Sequence, residues 1–100
     1  MDGAVRRRTF AALGLAAACN RSTRKRVAVI PKGTSHIFWL TVQAGATAAG
    51  REFGLDVVWN GPAQETDFAR QIQIVDSYIA QRVDGIVLAA CDRKALVAAV

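Results

Sequence analysis

The sequence has few of the residues on which metal sites and enzyme active sites are commonly built. It contains one histidine and two cysteines, too few for a zinc site of four such ligands. It has no Gly-x-Gly-x-x-Gly dinucleotide fingerprint, no complete phosphate-binding loop and no Gly-x-Ser-x-Gly hydrolase elbow. The apolar run Phe10–Ala18 has about nine residues, which is too short to span a bilayer. We therefore predict no metal, no cofactor and no enzymatic activity.

The composition favours one small globular domain. Hydrophobic residues make up 52% of the chain and charged residues 21%, which is typical of a packed core and not of disorder. The net charge of +5 is unevenly distributed. Residues 1–26 hold seven basic residues and one acidic residue (+6), whereas residues 27–100 hold six basic and seven acidic residues (−1). The basic excess belongs to the amino-terminal segment, so we predict no nucleic-acid partner.

The amino-terminal segment is ordered like an export signal. The basic residues Arg6–Arg8 precede the apolar run Phe10–Ala18, and Cys19 follows. This order predicts a signal peptide over residues 1–19. The polar and basic residues 20–26 predict a flexible tether.

Two details of this leader resemble known export signals. Arg7–Phe10 is similar to the core of a twin-arginine signal. Leu15–Cys19 resembles a bacterial lipoprotein cleavage site, which implies a lipid on Cys19 and anchoring at the outer face of the membrane. The alternatives are an ordinary signal peptide cut near Ala18 and an alanine-rich first helix of a cytosolic protein. A Cys19–Cys91 disulfide is a further alternative.

The rest of the chain alternates between strand and helix patterns. Short β-branched runs predict strands buried on both faces, and apolar residues at helical spacing predict amphipathic helices. The order βαβαβα predicts an α/β fold with a parallel sheet and right-handed crossovers. The predicted strands are 27–30, 55–59 and 86–90, and the predicted helices are 37–53, 66–82 and one that begins at Arg93.

Helix caps and buried stripes follow from the same patterns. We expect Thr34 or Ser35 to cap the first helix and Gly54 to end it. Thr66 or Asp67 is expected to cap the second helix, and Asp92 the third. The predicted buried stripes are Phe38, Val42, Ala46, Ala49 and Phe53 on the first helix, and Phe68, Ile72, Val75 and Ile79 on the second.

Polar and aromatic residues follow the predicted strands. In a parallel sheet they lie at the carboxyl edge, where such folds bind ligands. Together they could hydrogen-bond a sugar or polyol and place an aromatic ring against it. Each has an alternative role: core packing for Phe38, capping for the aspartates, solvation for the lysine, and either solvation or helix capping for the histidine. The candidate ligand-binding residues are Lys32, Ser35, His36, Phe38, Trp39, Asp67 and Asp92.

The first strand and its loop resemble a known family. The run VAVIPKGTSH at 27–36, with Phe38-Trp39 after it, is similar to the opening of type I periplasmic sugar-binding proteins of the ribose-binding group. Gly45-Ala46, Phe53-Gly54 and the run VDGIVL at 83–88 fit the same pattern. The resemblance covers residues 27–100 and implies a three-layer, Rossmann-like lobe.

This resemblance implies a solute receptor that delivers a sugar to the permease of an ABC importer, in the periplasm or at the outer face of the membrane. In such proteins two lobes close on the sugar by a hinge, and the first loop and its aromatic pair line the cleft. We expect residues 27–100 to be a partial amino-terminal lobe of a truncated chain, since relatives have a second lobe. Where many relatives carry Asn-Pro after the third strand, this chain has Ala89-Ala90-Cys91, which argues against ribose itself. The alternative is the ligand-sensing lobe of a regulator or sensor.

Overall fold

The computed structural model describes residues 24–100, which form one parallel sheet flanked by helices. The sheet has the strand order β2-β1-β3, with β1 in the middle. This arrangement confirms the predicted α/β fold with a parallel sheet. The elements are β1 (Arg26–Ile30), α1 (Ile37–Phe53), β2 (Asp56–Trp59), α2 (Phe68–Ala80) and β3 (Gly85–Leu88).

The predicted signal peptide and Cys19 lie outside the described residues. The predicted tether overlaps them only at residues 24–26, and there the prediction needs one correction. Arg26 is already part of β1 and pairs with Asp56 of β2. The strand begins one residue early because the Asp84 carboxylate accepts a hydrogen bond of 2.8 Å from the Arg26 backbone N–H.

The two faces of the sheet are covered by different helices. Side chains alternate between the faces along a strand, so Ala28 and Ile30 point to one side, where they pack in the core with Ile74 and Val75 of α2. Helix α1 lies on the other side, where Gly50 approaches Val57 of β2. The three layers expected from the sequence are present. No helix in residues 24–100 is long and apolar enough to cross a membrane.

The buried side of α1 differs from the predicted stripe. Phe38 and Phe53 are 58% and 70% exposed, whereas Trp39 and Gly50 are buried. A β-carbon on Gly50 would lie 2.7 Å from Cγ2 of Val57, closer than normal contact. The helix therefore turns one of its two glycines to the sheet. The three smaller members of the predicted stripe are half-buried, and its two phenylalanines are exposed. The half-buried members are Val42, Ala46 and Ala49.

Helix α2 also buries a different stripe from the predicted one. Val75 is buried as expected and Ile72 packs partly buried against the core, but Phe68 and Ile79 are 39% and 47% exposed. The buried positions are instead Gln71, Ile74, Val75 and Tyr78. The inward position of a polar residue, Gln71, is the physical reason for the shift.

Where the pairing of β1 and β3 ends, the side-chain amide of Gln71 makes the hydrogen bonds that the backbone of β1 would otherwise make to β3. The parallel ladder reaches a hydrogen bond of 2.9 Å from Ala89 N–H to Ile30 C=O. Continued by one step, it would join the backbone of Lys32 to Ala89 C=O and to Cys91 N–H. Gln71 occupies both positions: Nε2 donates to Ala89 C=O (2.8 Å), and Oε1 accepts from Cys91 N–H (2.8 Å). Nε2 also donates to Pro31 C=O (3.0 Å), so one buried amide holds both strand ends.

The substituted ladder explains why β3 ends at Leu88 and not at Ala90 as predicted. It also places Cys91 in the loop after the strand, not at the strand end. The predicted third helix is absent from the described residues: 93–99 form turns, with hydrogen bonds such as Val97 N–H to Lys94 C=O that close three residues back. Asp92 nevertheless caps this segment as expected, accepting from Lys94 N–H and Ala95 N–H.

We predict that Gln71→Leu destabilises the fold by about 3 kcal/mol or more. The leucine fills the space but leaves two carbonyls and one N–H buried without partners, at about 1–3 kcal/mol for each group. The free energy of unfolding can be measured by urea denaturation. Gln73→Leu, on the exposed side of the same helix, is the control and should change it by less than about 0.5 kcal/mol. Equal effects of the two changes would contradict the role given to Gln71.

Two glycines of α1 provide a second matched pair. Gly45→Ala should raise the free energy of unfolding by about 0.5–1 kcal/mol, because alanine favours helix and no atom lies within 4 Å of the added methyl group. Gly50→Ala should instead lower it by about 1–2 kcal/mol, because the methyl group forces Val57 and the helix apart. Thermal or urea denaturation of both variants checks the sign. A stabilising Gly50→Ala would show that α1 does not pack as described.

Candidate functional site

Two loops meet at the carboxyl edge of the sheet, one after β1 (31–36) and one after β2 (60–67). Side-chain hydroxyls of the first loop hold the backbone of the second: Ser35 Oγ donates to Ala63 C=O (2.9 Å) and Thr34 Oγ1 to Pro62 C=O (3.4 Å). These bonds explain why the expected capping of α1 by Thr34 or Ser35 is wrong. Both hydroxyls are used between loops.

His36 is the residue that caps α1. Its backbone is extended, and its Nδ1 accepts a hydrogen bond of 3.0 Å from Phe38 N–H. An acceptor nitrogen carries no proton, so in the neutral ring the proton is on Nε2. Capping was one of the two roles that the sequence left open for this residue. The cap leaves Nε2–H as a donor at the edge of the loop.

The two aromatic residues at the start of α1 have different surroundings. Trp39 is buried, and its Nε1–H donates to Glu65 Oε1 at 2.8 Å. Phe38 is exposed and meets the Trp39 ring edge-on, with ring centroids 4.9 Å apart at 78°. Core packing, the alternative weighed for Phe38, is therefore wrong. Trp39 forms a wall, and Phe38 offers a free aromatic face beside it.

A cleft of about 470 Å³ lies between the loops. Its size lies within the range of small-molecule sites. Three of the candidate residues from the sequence, Ser35, His36 and Trp39, line it together. The other lining residues are Gly33, Ala63, Gln64, Glu65 and Thr66.

The remaining charged candidates lie outside the cleft lining. Asp67 caps α2, its Oδ1 accepting from Arg70 N–H at 3.1 Å. Asp92 caps the segment after β3. Lys32 is half-buried, and its backbone C=O accepts from the Cys91 thiol at 3.3 Å. Ligand contact by these three residues stays a prediction, as it does for the cleft residues. No group of three or more potential metal-ligating residues occurs in the described part of the chain.

The pKa of the Cys91 thiol depends on the charged residues near the cleft. Burial raises the pKa of its thiol above the ordinary value, because a thiolate is poorly solvated there. The Glu65 carboxylate raises this pKa further, Lys32 lowers it and Asp67 raises it. Two carboxylates and one ammonium group thus act on the same neighbourhood.

Sequence reasoning missed two residues of this region, Glu65 and Gln71. Glu65 sits in a loop of small and polar residues, where a charge is usually solvated, and nothing in the pattern joins it to Trp39, 26 residues earlier. Gln71 was excluded from the stripe of α2 because it is polar. A signal for Gln71 does exist, since it falls at helical spacing from Ile74, Val75 and Tyr78.

Comparison with known proteins identifies this arrangement. Residues 27–100 match the family model described as periplasmic binding protein domain. A D-ribose/D-allose-binding protein from Pseudomonas aeruginosa is 40% identical over an alignment 76 residues long, which covers 74% of this chain and 24% of that protein.

Solved structures agree with the sequence match. An ABC transporter solute-binding protein from Burkholderia multivorans matches 76% of this chain and 28% of its own, with 40% identity and a TM-score of 0.73. A carbohydrate transporter solute-binding protein from Agrobacterium radiobacter, in complex with D-arabinose, matches 76% of this chain and 26% of its own, with 33% identity and a TM-score of 0.74. The chain thus spans about a quarter of the length of these relatives.

The electrostatic environment of Cys91 can be tested by two opposite changes. We predict that Glu65→Gln lowers the pKa of Cys91, because it removes a carboxylate that disfavours the thiolate, and that Lys32→Met raises it. The rate of alkylation by iodoacetamide follows the thiolate, so its pH midpoint at Cys91, read by peptide mass spectrometry, reports this pKa. Glu52→Gln, the same charge change on exposed α1, should leave the midpoint unchanged. Identical midpoints for all variants would contradict the charge arrangement.

Proposed function

Because the chain belongs to the family of periplasmic binding proteins, we propose that it forms part of the sugar-binding site of an exported solute receptor. The observation that carries the proposal is the cleft at the carboxyl edge of the sheet, with Trp39 as its wall and His36 and Glu65 on its lining. An aromatic wall beside a few hydrogen-bonding groups is the chemistry that suits a sugar ring, which has both apolar C–H faces and hydroxyl groups.

The proposal gives the candidate residues three different roles. Ser35 and His36 hydrogen-bond the sugar from the first loop, and Phe38 and Trp39 contact its apolar face. Lys32, Asp67 and Asp92 act from the rim. Lys32 and Asp67 lie in the neighbourhood of Cys91. Each of the two carboxylates keeps its capping bonds on one oxygen and has a second oxygen outside them.

The cellular role follows from the same family. We propose delivery of a monosaccharide to the permease of an ABC importer, in the periplasm or, with a lipid on Cys19, at the outer face of the membrane. The names of the relatives as sugar-binding and ABC transporter proteins support the transport role. The proposed protein is a binding protein and not an enzyme. The alternative is the ligand-sensing lobe of a regulator. A transport receptor, unlike a regulator, should change the rate of ATP hydrolysis by its cognate ABC transporter when sugar is added.

Direct titration tests the sugar site. We expect D-ribose, D-allose or D-arabinose to shift the backbone and indole N–H signals of the cleft residues in ¹⁵N NMR spectra of the chain. The cleft is open on one side, so we expect a Kd of about 1–10 mM, far weaker than an enclosed site gives. Absence of any shift with every pentose and hexose tested, at concentrations well above this range, would refute the proposal.

Phe38→Ala should weaken binding of the same sugar about fivefold, because it removes the exposed aromatic ring that stands next to Trp39 at the edge of the cleft. Ile37→Ala is the matched control: both residues are exposed and outside the cleft lining, but Ile37 has no aromatic ring to offer the sugar. Equal loss of affinity in the two variants would remove Phe38 from the site.

A further inference from the structure

Glu65 is the one charged residue among the described residues that line the cleft. Its Oε1 accepts the hydrogen bond from Trp39 Nε1–H at 2.8 Å. This bond positions the indole ring and holds the carboxylate at the wall of the cleft. A carboxylate has about four acceptor positions on its two oxygens, and the bond to Trp39 uses one. The acceptor positions of Oε2 are therefore not used by this bond.

The loop that carries Glu65 is held on two sides. The hydroxyls of Thr34 and Ser35 hold the carbonyls of Pro62 and Ala63, directly before it. The first loop also leaves room for the acid: a β-carbon on Gly33 would lie 3.2 Å from Cγ of Glu65. The position of Glu65 is thus built into the contact between the loops.

The other polar groups of the cleft are uncharged or already engaged. His36 uses Nδ1 to accept from Phe38 N–H, and Ser35 donates its hydroxyl proton to Ala63 C=O. No lysine or arginine is among the described residues of the lining. The fixed charge of the lining residues is therefore negative, and the Lys32 ammonium group lies outside this lining. An acceptor of this kind suits a hydroxyl donor and repels an anionic group.

We propose that Glu65 is a specificity-determining residue of the cleft, whose Oε1 orients Trp39 while Oε2 accepts a hydrogen bond from a ligand hydroxyl. This inference rests on the proposed sugar-binding function and assigns that function a charge preference. Uncharged sugars bind, and the same sugars carrying a phosphate or an acid group are rejected. Charge-assisted hydrogen bonds are about twice as strong as neutral ones, so the carboxylate contributes to affinity and selectivity together.

Glu65→Gln separates the two functions of the carboxylate. The glutamine keeps an oxygen that can accept from Trp39 but replaces the second acceptor with an NH₂ donor and removes the charge. The chain contains two tryptophans, Trp39 and Trp59, and Trp59→Phe assigns their two indole N–H signals. We expect the Trp39 indole signal to keep its position in Glu65→Gln and to move upfield in Glu65→Leu, which has no acceptor.

The test compares D-arabinose with D-arabinose 5-phosphate by NMR titration of the chain. We expect the unaltered chain to bind D-arabinose at least tenfold more tightly than the phosphate. In Glu65→Gln we expect a roughly tenfold loss of D-arabinose affinity and a ratio between the two ligands reduced by about tenfold. Glu52→Gln makes the same change of net charge on the exposed side of α1 and should alter neither value.

The outcomes distinguish this inference from the proposed function. If the unaltered chain binds no sugar, the proposed function fails and the inference fails with it. If the unaltered chain binds D-arabinose and Glu65→Gln shows the same affinity and the same ratio, the function stands and the role of Glu65 is overturned. A selectivity that Glu52→Gln reduces equally would also overturn it, because the effect would then come from net charge.

Discussion

The amide of Gln71 is the interaction on which the carboxyl edge of the sheet depends. It makes three hydrogen bonds, to Pro31, Ala89 and Cys91, and replaces the next step of the β1–β3 ladder. The strands can therefore separate beyond Ile30 and Leu88 without leaving buried backbone groups unpaired. The loop after β1 is free to turn towards β2, and the cleft forms between these two loops. Helix α2 thus supports the site without lining it.

The two faces of the sheet are packed against their helices in different ways. On the side of α2, medium-sized residues such as Ile74 and Val75 fill the space above Ala28 and Ile30. On the side of α1, Gly50 brings the helix close to Val57. The first turn of the same helix, about three turns from Gly50, carries Phe38 and Trp39.

Local signals predicted the parts of this structure that are determined locally. The bounds of α1 and its end at Gly54, with a left-handed backbone (φ 67°), follow from periodicity and a glycine cap. Capping by Asp67 and Asp92 also follows from short-range patterns. The buried role of Gln71 and the bond between Trp39 and Glu65 do not, because they join residues 18–40 and 26 positions apart. A polar residue is normally assigned to the surface until its partners are known.

The bonds between the two loops have an evolutionary consequence. Thr34 and Ser35 hold the second loop by its backbone carbonyls, at Pro62 and Ala63, and not by its side chains. Every residue has a backbone carbonyl. Mutations at positions 63–66 can therefore alter the cleft surface while the hydrogen bonds from Thr34 and Ser35 remain. A mutation that changes which ligand the second loop prefers therefore need not change how the two loops are held together. Substitutions in the second loop can therefore change the choice of ligand while these two bonds to the first loop remain.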